Sequence, residues 1–146
     1  MGLQWLGLNQ EEQAAVEEIQ AAGSCGTVEA VHEERDRLYL AVGRKNGQAY
    51  VRYSTRASLL RAAAWLGSRT SDFEVEETAS FTRLGAMLDN SRNAVMTVET
   101  VKDMCRLTAR MGCNMLMLYT EDTYEMDGHP YFGYMRGRYT AEELRE

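Results

Sequence analysis

Two polar clusters each follow directly on an apolar run. Asp89-Asn90-Ser91-Arg92-Asn93 comes after Leu84–Leu88, and Thr120-Glu121-Asp122-Thr123-Tyr124-Glu125 comes after Met115–Tyr119. Ligands of α/β barrels sit at the carboxyl ends of the strands, so these clusters are where binding chemistry is expected. Taken alone, Arg92 has an ordinary reading: it pairs with Asp89 or caps its loop, as arginines in solvated loops do. Glu121 and Asp122 are adjacent carboxylates, an arrangement more often a solvated loop than a catalytic dyad. They do not match the acid and nucleophile of a retaining glycosidase, which face one bond from about 5 Å apart. His129 precedes Pro130 in an extended loop with no second histidine near it, so it is assigned no role. Gly133 and Gly137, with Arg136, Arg138 and Tyr139, follow no strand directly and lack the lysine of a phosphate loop. Cys25, Cys105 and Cys113 are odd in number and contain no C-x-x-C pair, which indicates neither a disulfide framework nor a zinc site. Reduced, buried thiols are expected, and no cofactor or metal is implied.

The elements that must carry these clusters can be read from periodicity. Asn9 with Glu12 forms a candidate capping box, followed by Ala15, Val16, Ile19 and Ala22 near helical spacing, with Gly23 as the stop. Val28, Ala30 and His32 alternate with polar neighbours. Leu38, Leu40 and Val42 face Ala49, Val51 and Tyr53 across Lys45-Asn46-Gly47, whose Asn-Gly pair suits a tight hairpin. Leu59, Leu60, Ala63, Ala64 and Leu66 form the stripe of a second helix, and Phe73 and Val75 alternate with Glu74 and Glu76. Up to about Ala79 the chain reads as a small α+β layer, a sheet with helices on one face. From Thr82 the runs Leu84–Leu88 and Met115–Tyr119 are continuous and apolar, as in parallel strands covered on both faces. Between them Thr97 caps a helix in which Val98, Val101, Met104, Cys105, Thr108 and Met111 recur at helical spacing, ending at Gly112. The expected unit is a right-handed strand-helix-strand. Thr140-Ala141-Glu142-Glu143 matches a further capping box three residues before the end, which leads to the expectation of a truncated chain.

Size and charge narrow the function classes. A length of 146 residues holds one domain, or a small domain and part of another, but not an eight-fold barrel of roughly 250 residues. With 45% apolar residues and one proline the chain can bury a core, which argues against disorder. The net charge of -6, without a basic cluster, disfavours nucleic acid. No run approaches the roughly 20 apolar residues of a membrane span, and Met1–Leu8 lacks the features of a leader peptide; a cytoplasmic location is expected.

The segment from Leu84 to Tyr139, including Met87-Leu88-Asp89-Asn90-Ser91-Arg92-Asn93, Leu118-Tyr119-Thr120-Glu121-Asp122-Thr123-Tyr124-Glu125 and Tyr131-Phe132-Gly133-Tyr134-Met135-Arg136-Gly137-Arg138-Tyr139, resembles the start of the catalytic barrel in bacterial β-N-acetylhexosaminidases of glycoside hydrolase family 20. The resemblance implies an α/β chain made of two parts: residues 1–79 as the small α+β domain that precedes the barrel, and residues 80–146 as the first strand-helix-strand of a truncated (β/α)8 TIM barrel. It places on Arg92 the family's arginine that grips hydroxyls of the non-reducing sugar, a role suited to a planar fork of fixed donors. Glu121 and Asp122 take the place of a carboxylate pair that supports the sugar site; most relatives have two aspartates there. The implied reaction removes terminal N-acetylglucosamine or N-acetylgalactosamine with retention, the substrate's acetamido oxygen serving as nucleophile. Its adjacent Asp-Glu pair belongs on a later strand and is not found in this sequence, so the parent is expected to be an enzyme and this chain inactive. Self-association through exposed barrel strands is expected. Two other readings remain at this point: a stand-alone carbohydrate-binding or protein-interaction α+β module, and a two-layer regulatory domain.

Overall fold

A computed structural model describes residues 3–20, 26–92 and 94–146. Its first sheet has five strands: β1 (Leu3–Leu6), β2 (Gly26–His32), β3 (Tyr39–Lys45), β4 (Gln48–Tyr53) and β5 (Phe73–Thr78), in the order β1-β2-β4-β3-β5. β1, β2 and β4 run parallel, while β3 is antiparallel to both β4 and β5. Two helices pack on one face of it, α1 (Gln10–Ile19) and α2 (Arg56–Ser68). The expected hairpin is present. Leu40 faces Tyr53 and Val42 faces Val51, and Asn46 and Gly47 turn the chain with φ of 52° and 80°.

Local chemistry sets the helix starts. Asn9 accepts from the Glu12 N–H while the Glu12 carboxylate accepts from the Asn9 N–H, a complete capping box; Thr55 and Ser58 repeat it at α2. α1 ends at Ile19 with Gln20 as its cap, while the expected stop at Ala22 and Gly23 lies outside the described residues, as does Cys25. In α2 the buried face is Ser58, Leu59, Ala62, Ala63 and Leu66, so the stripe is rotated away from Leu60 and Ala64, which are half-buried. These residues meet Leu3, Trp5, Val28, Val42, Val51 and other inward strand residues in the hydrophobic core. Burial of each large apolar side chain there contributes about 1.5–3 kcal/mol. β1 was not expected from the sequence. It alternates, Leu3 and Trp5 buried, Gln4 and Leu6 exposed, and pairs with β2 from Leu3–Gly26 to Leu6–Glu29.

The second sheet is the parallel pair β6 (Gly85–Asp89) and β7 (Met115–Tyr119), joined through α3 (Val98–Arg110). Thr97 caps α3 by accepting from the Thr100 N–H, and Gly112 takes a φ of 84° just past its end. Only Thr108 of α3 is fully buried. α3 packs against α2 and α1. Arg110 donates twice to the Ile19 carbonyl at the end of α1, and Arg106 pairs with Glu18. No closed barrel is formed among the described residues. The expectation of buried thiols needs correction: Cys105 lies on an exposed part of α3, of which only Thr108 is buried, and Cys113 is half-buried in the stretch between α3 and β7. Among the described residues no helix is long and apolar enough to cross a membrane, and no cluster of His, Cys, Asp or Glu could hold a metal ion.

Candidate functional site

The two polar clusters meet because of strand register. Leu88 lies beside Leu118 and Asp89 beside Tyr119, so both parallel strands stop at the same level and release their loops on one edge. The Asn90 N–H extends the ladder by donating to the Tyr119 carbonyl at 2.8 Å. Thr123, fully buried, donates its hydroxyl to the Asn90 carbonyl at 3.0 Å.

Asp89 organises the first loop. Its Oδ1 accepts from the Ser91 hydroxyl at 2.7 Å, the Ser91 N–H at 3.0 Å and the Arg92 N–H at 3.3 Å, while Oδ2 accepts from Arg92 Nε at 2.6 Å. So many donors favour the ionised form. The Ser91 hydroxyl, then the Ser91 N–H, and Arg92 after them hold the Asp89 carboxyl at about 2. The Arg92 guanidinium also lies over the Tyr119 ring, 5.4 Å from its centroid. Among the described residues only its Nε is hydrogen-bonded, so the pairing with Asp89 and the exposure of the fork's remaining donors occur together.

Tyr119 connects Arg92 to the acidic pair. Its hydroxyl donates to Glu121 Oε1 at 2.8 Å, which is the chief reason the phenol's proton is held more tightly than usual. Glu121 itself has a φ of 46°, a left-handed conformation uncommon for a residue with a Cβ. Asp122 turns another way. Its Oδ1 lies 3.2 Å from Arg136 Nη1, close enough for ion pairing but without hydrogen-bond alignment. Arg136 Nη2 donates to the Ser91 carbonyl, so one side chain spans both loops.

The segment beyond Asp122 folds back over this edge. Gly133 is buried with a φ of 66°, and a Cβ there would sit 2.1 Å from the Asp122 carbonyl oxygen. The Tyr139 N–H donates to the Thr123 carbonyl at 2.9 Å, the Glu125 N–H to the Tyr139 carbonyl at 2.8 Å, and the Tyr139 hydroxyl to the Met96 carbonyl at 2.6 Å. Thr140 and Glu143 form both bonds of the expected capping box. Of the residues singled out from the sequence, Arg92 and Glu121 therefore meet at Tyr119, while Asp122 stands with Arg136 and His129 stays exposed. Asn93 lies outside the described residues. Sequence reasoning gave Tyr119, Arg136 and Gly133 no site role, the latter two being weighed only as a phosphate loop; the aromatic residue at the end of an apolar run was the one hint at the first of these.

No protein-family model and no curated protein matches the sequence. Solved structures do match. An exo-β-N-acetylglucosaminidase of glycoside hydrolase family 20 from Vibrio harveyi, in an inactive mutant form, is 18% identical with a TM-score of 0.73 over 99% of this chain and 30% of that one. The same enzyme in complex with N-acetylglucosamine gives 17% and 0.69, with 99% and 30% covered. The family 20 β-N-acetylhexosaminidase of Streptomyces coelicolor gives 16% and 0.68, with 98% and 38% covered. At such identities a likeness establishes fold. This chain has the fold of the N-terminal part of a family 20 β-N-acetylglucosaminidase, and it spans about a third of the length of the enzymes it matches.

Proposed function

We propose that these residues are the N-terminal part of a β-N-acetylhexosaminidase that removes terminal N-acetylglucosamine or N-acetylgalactosamine by retaining, substrate-assisted hydrolysis. In this reading residues 1–79 form the small α+β domain and residues 80–146 open the catalytic barrel. Arg92 grips hydroxyls of the non-reducing sugar, Glu121 holds Tyr119 beneath it, and Asp122 supports the neighbouring loop. The general acid and the aspartate that orients the acetamido group belong to a later strand. The observation that carries the reading is the common edge of β6 and β7: it gathers both loops and presents an arginine braced by Asp89 and Tyr119 with its remaining donors facing outward. Such a fork matches two vicinal hydroxyls, and a neighbour of the same fold was crystallised with N-acetylglucosamine.

Kinetics test it. In the full-length protein, Arg92→Ala removes charged hydrogen bonds worth roughly 1.5–3 kcal/mol each, so kcat/KM on an aryl N-acetyl-β-glucosaminide falls at least about tenfold to a hundredfold. The 146-residue chain alone gives no hydrolysis above the blank, since general acid catalysis is worth about 10²-fold to 10⁴-fold and its residue lies elsewhere. Unchanged kinetics in a folded Arg92→Ala enzyme, or turnover that co-purifies with the 146-residue chain, would sink the reading.

A further inference from the structure

We infer that Arg136 is a positioning residue, whose guanidinium clamps the loop after β6 to the loop after β7 and thereby sets where Arg92 is presented. The inference rests on the sugar-site reading of Arg92 given above, and it assigns a task to a residue that touches neither the sugar-binding fork nor any reacting group.

The connections run in sequence. Arg136 Nη2 donates to the carbonyl of Ser91, and Ser91 is buried. Ser91 in turn gives its hydroxyl and N–H to Asp89, the same carboxylate that receives Arg92 Nε and the Arg92 N–H. Asp89, Ser91 and Arg92 thus form one knot, and Arg136 holds it from the carbonyl side. Its other arm faces Asp122 Oδ1 on the loop after β7. Asn90, the residue before Ser91, is also reached from the second loop: its carbonyl shares the Thr123 hydroxyl with the Thr120 carbonyl. Two consecutive carbonyls of the Arg92 loop are therefore held by donors from the second loop region, and one of those donors comes from Arg136.

Delivering Arg136 requires an unfavourable backbone. The turn contains Gly133 at a φ of 66°, pressed against the Asp122 carbonyl, and Met135 at 61°. A methionine in the left-handed region is disfavoured, because its Cβ crowds the following carbonyl oxygen. Its side chain is 90% exposed, so its own packing does little to offset that cost. Strain of this kind persists where flanking contacts over-determine it, and here the next residue supplies them. A guanidinium fork can serve two acceptors in different directions. A lysine ammonium acts as a single point charge and can keep Asp122 or Ser91 but not both in this geometry.

The test is a double-mutant cycle in the full-length protein on an aryl N-acetyl-β-glucosaminide. Arg136→Ala is expected to raise KM about tenfold, with a smaller change in kcat, because a displaced sugar grip weakens ground state and transition state alike. In the Arg92→Ala background the same substitution should change KM less than about twofold, since no grip is left to displace. Added ethylguanidine should restore part of the loss in Arg136→Ala. Arg136→Lys, which keeps the positive charge, should show the same KM rise and carries the test where the alanine variant does not fold. Wild-type KM in Arg136→Lys, or an equal loss in both backgrounds, overturns the clamp while leaving the sugar site intact. Wild-type KM in Arg92→Ala overturns the sugar site instead. The clamp is then read from the Arg92 amide in the 146-residue chain, whose hydrogen exchange speeds up in Arg136→Lys if the clamp exists and stays unchanged if it does not.

Discussion

Gly133 and Asp89 show how single residues fix the site. Gly133 meets two constraints together, a left-handed backbone and a contact that leaves no room for a methyl group beside the Asp122 carbonyl. Gly133→Ala is expected to cost about 2 kcal/mol or more, the positive φ and the displaced carbonyl adding to one another. Denaturant unfolding of the variant measures it, and a loss under about 0.5 kcal/mol would show that the turn relaxes freely. Asp89 makes a pH prediction. Its folded value of about 2 lies below the roughly 3.9 of an unfolded aspartate, so its contribution is fully present above that unfolded value. It disappears as pH falls through about 2. A titration of the Asp89 carboxyl carbon by NMR should find that low midpoint, and a midpoint near 4 would remove the Ser91 and Arg92 bonds from the account. That Arg92, Glu121 and Asp122 lie just past strand ends could be read from the sequence, because the polar clusters that contain them follow apolar runs. The place of Arg136 could not: its partner Ser91 lies 45 residues away, and no local pattern encodes that contact.

At the scale of elements, legibility follows the range of the interaction that makes each one. Capping is a matter of three residues, so Asn9–Glu12 and Thr97 could be read directly. The Asn46-Gly47 hairpin could be read for the same reason, its positive φ angles being a property of those two residues. β1 escaped notice because four residues, Leu-Gln-Trp-Leu, are too few to show a period, and their pairing with β2 is decided across α1. The register of a helix stripe is also tertiary: α2 buries Ala62 where Leu60 and Ala64 were expected, because the packing of the helix on the sheet, not its own periodicity, decides which side turns inward. One cap does more than its motif suggests. Glu12 completes the box through Oε2 and accepts from the Tyr53 hydroxyl through Oε1 at 2.9 Å, tying the start of α1 to β4. Burial first, and then this bond, keep the Tyr53 phenol protonated well above its usual range. Glu12→Ala therefore loses a cap bond and leaves a half-buried hydroxyl without its acceptor, an expected cost of about 1–3 kcal/mol. Tyr53→Phe alone should cost less, and the double variant should fall short of the sum. Strict additivity in denaturant unfolding would mean that Glu12 and Tyr53 do not share the bond.

The whole molecule divides its stability unevenly between the two sheets. The hydrophobic core draws on β1 to β4, α1 and α2, whereas in the second sheet Leu88 is the only fully buried strand residue. Met115 and Met117 are each 48% exposed and Met87 is 53% exposed, so one face of the pair lacks cover among the described residues. Each strand of the pair also has hydrogen-bonded neighbours on one side only, and unpaired strand edges beside apolar side chains invite association. The bond from Asn90 to Tyr119, the Thr123 cross-link and the Arg110 bonds to the end of α1 hold the pair in place, but these are polar contacts. Each contributes about 0.5–1.5 kcal/mol net, against about 1.5–3 kcal/mol for each large side chain buried in the first sheet. Local opening should therefore be cheaper in β6 and β7 than in the hairpin. For the 146-residue chain in isolation, hydrogen exchange is expected to run faster at Met117 and Leu118 than at Leu40 and Val42, and light scattering should show mass increasing with concentration. A strictly monomeric chain with both sets of amides equally protected would mean that β6 and β7 find sufficient cover within this chain, and that the exposed methionine face carries no drive to associate.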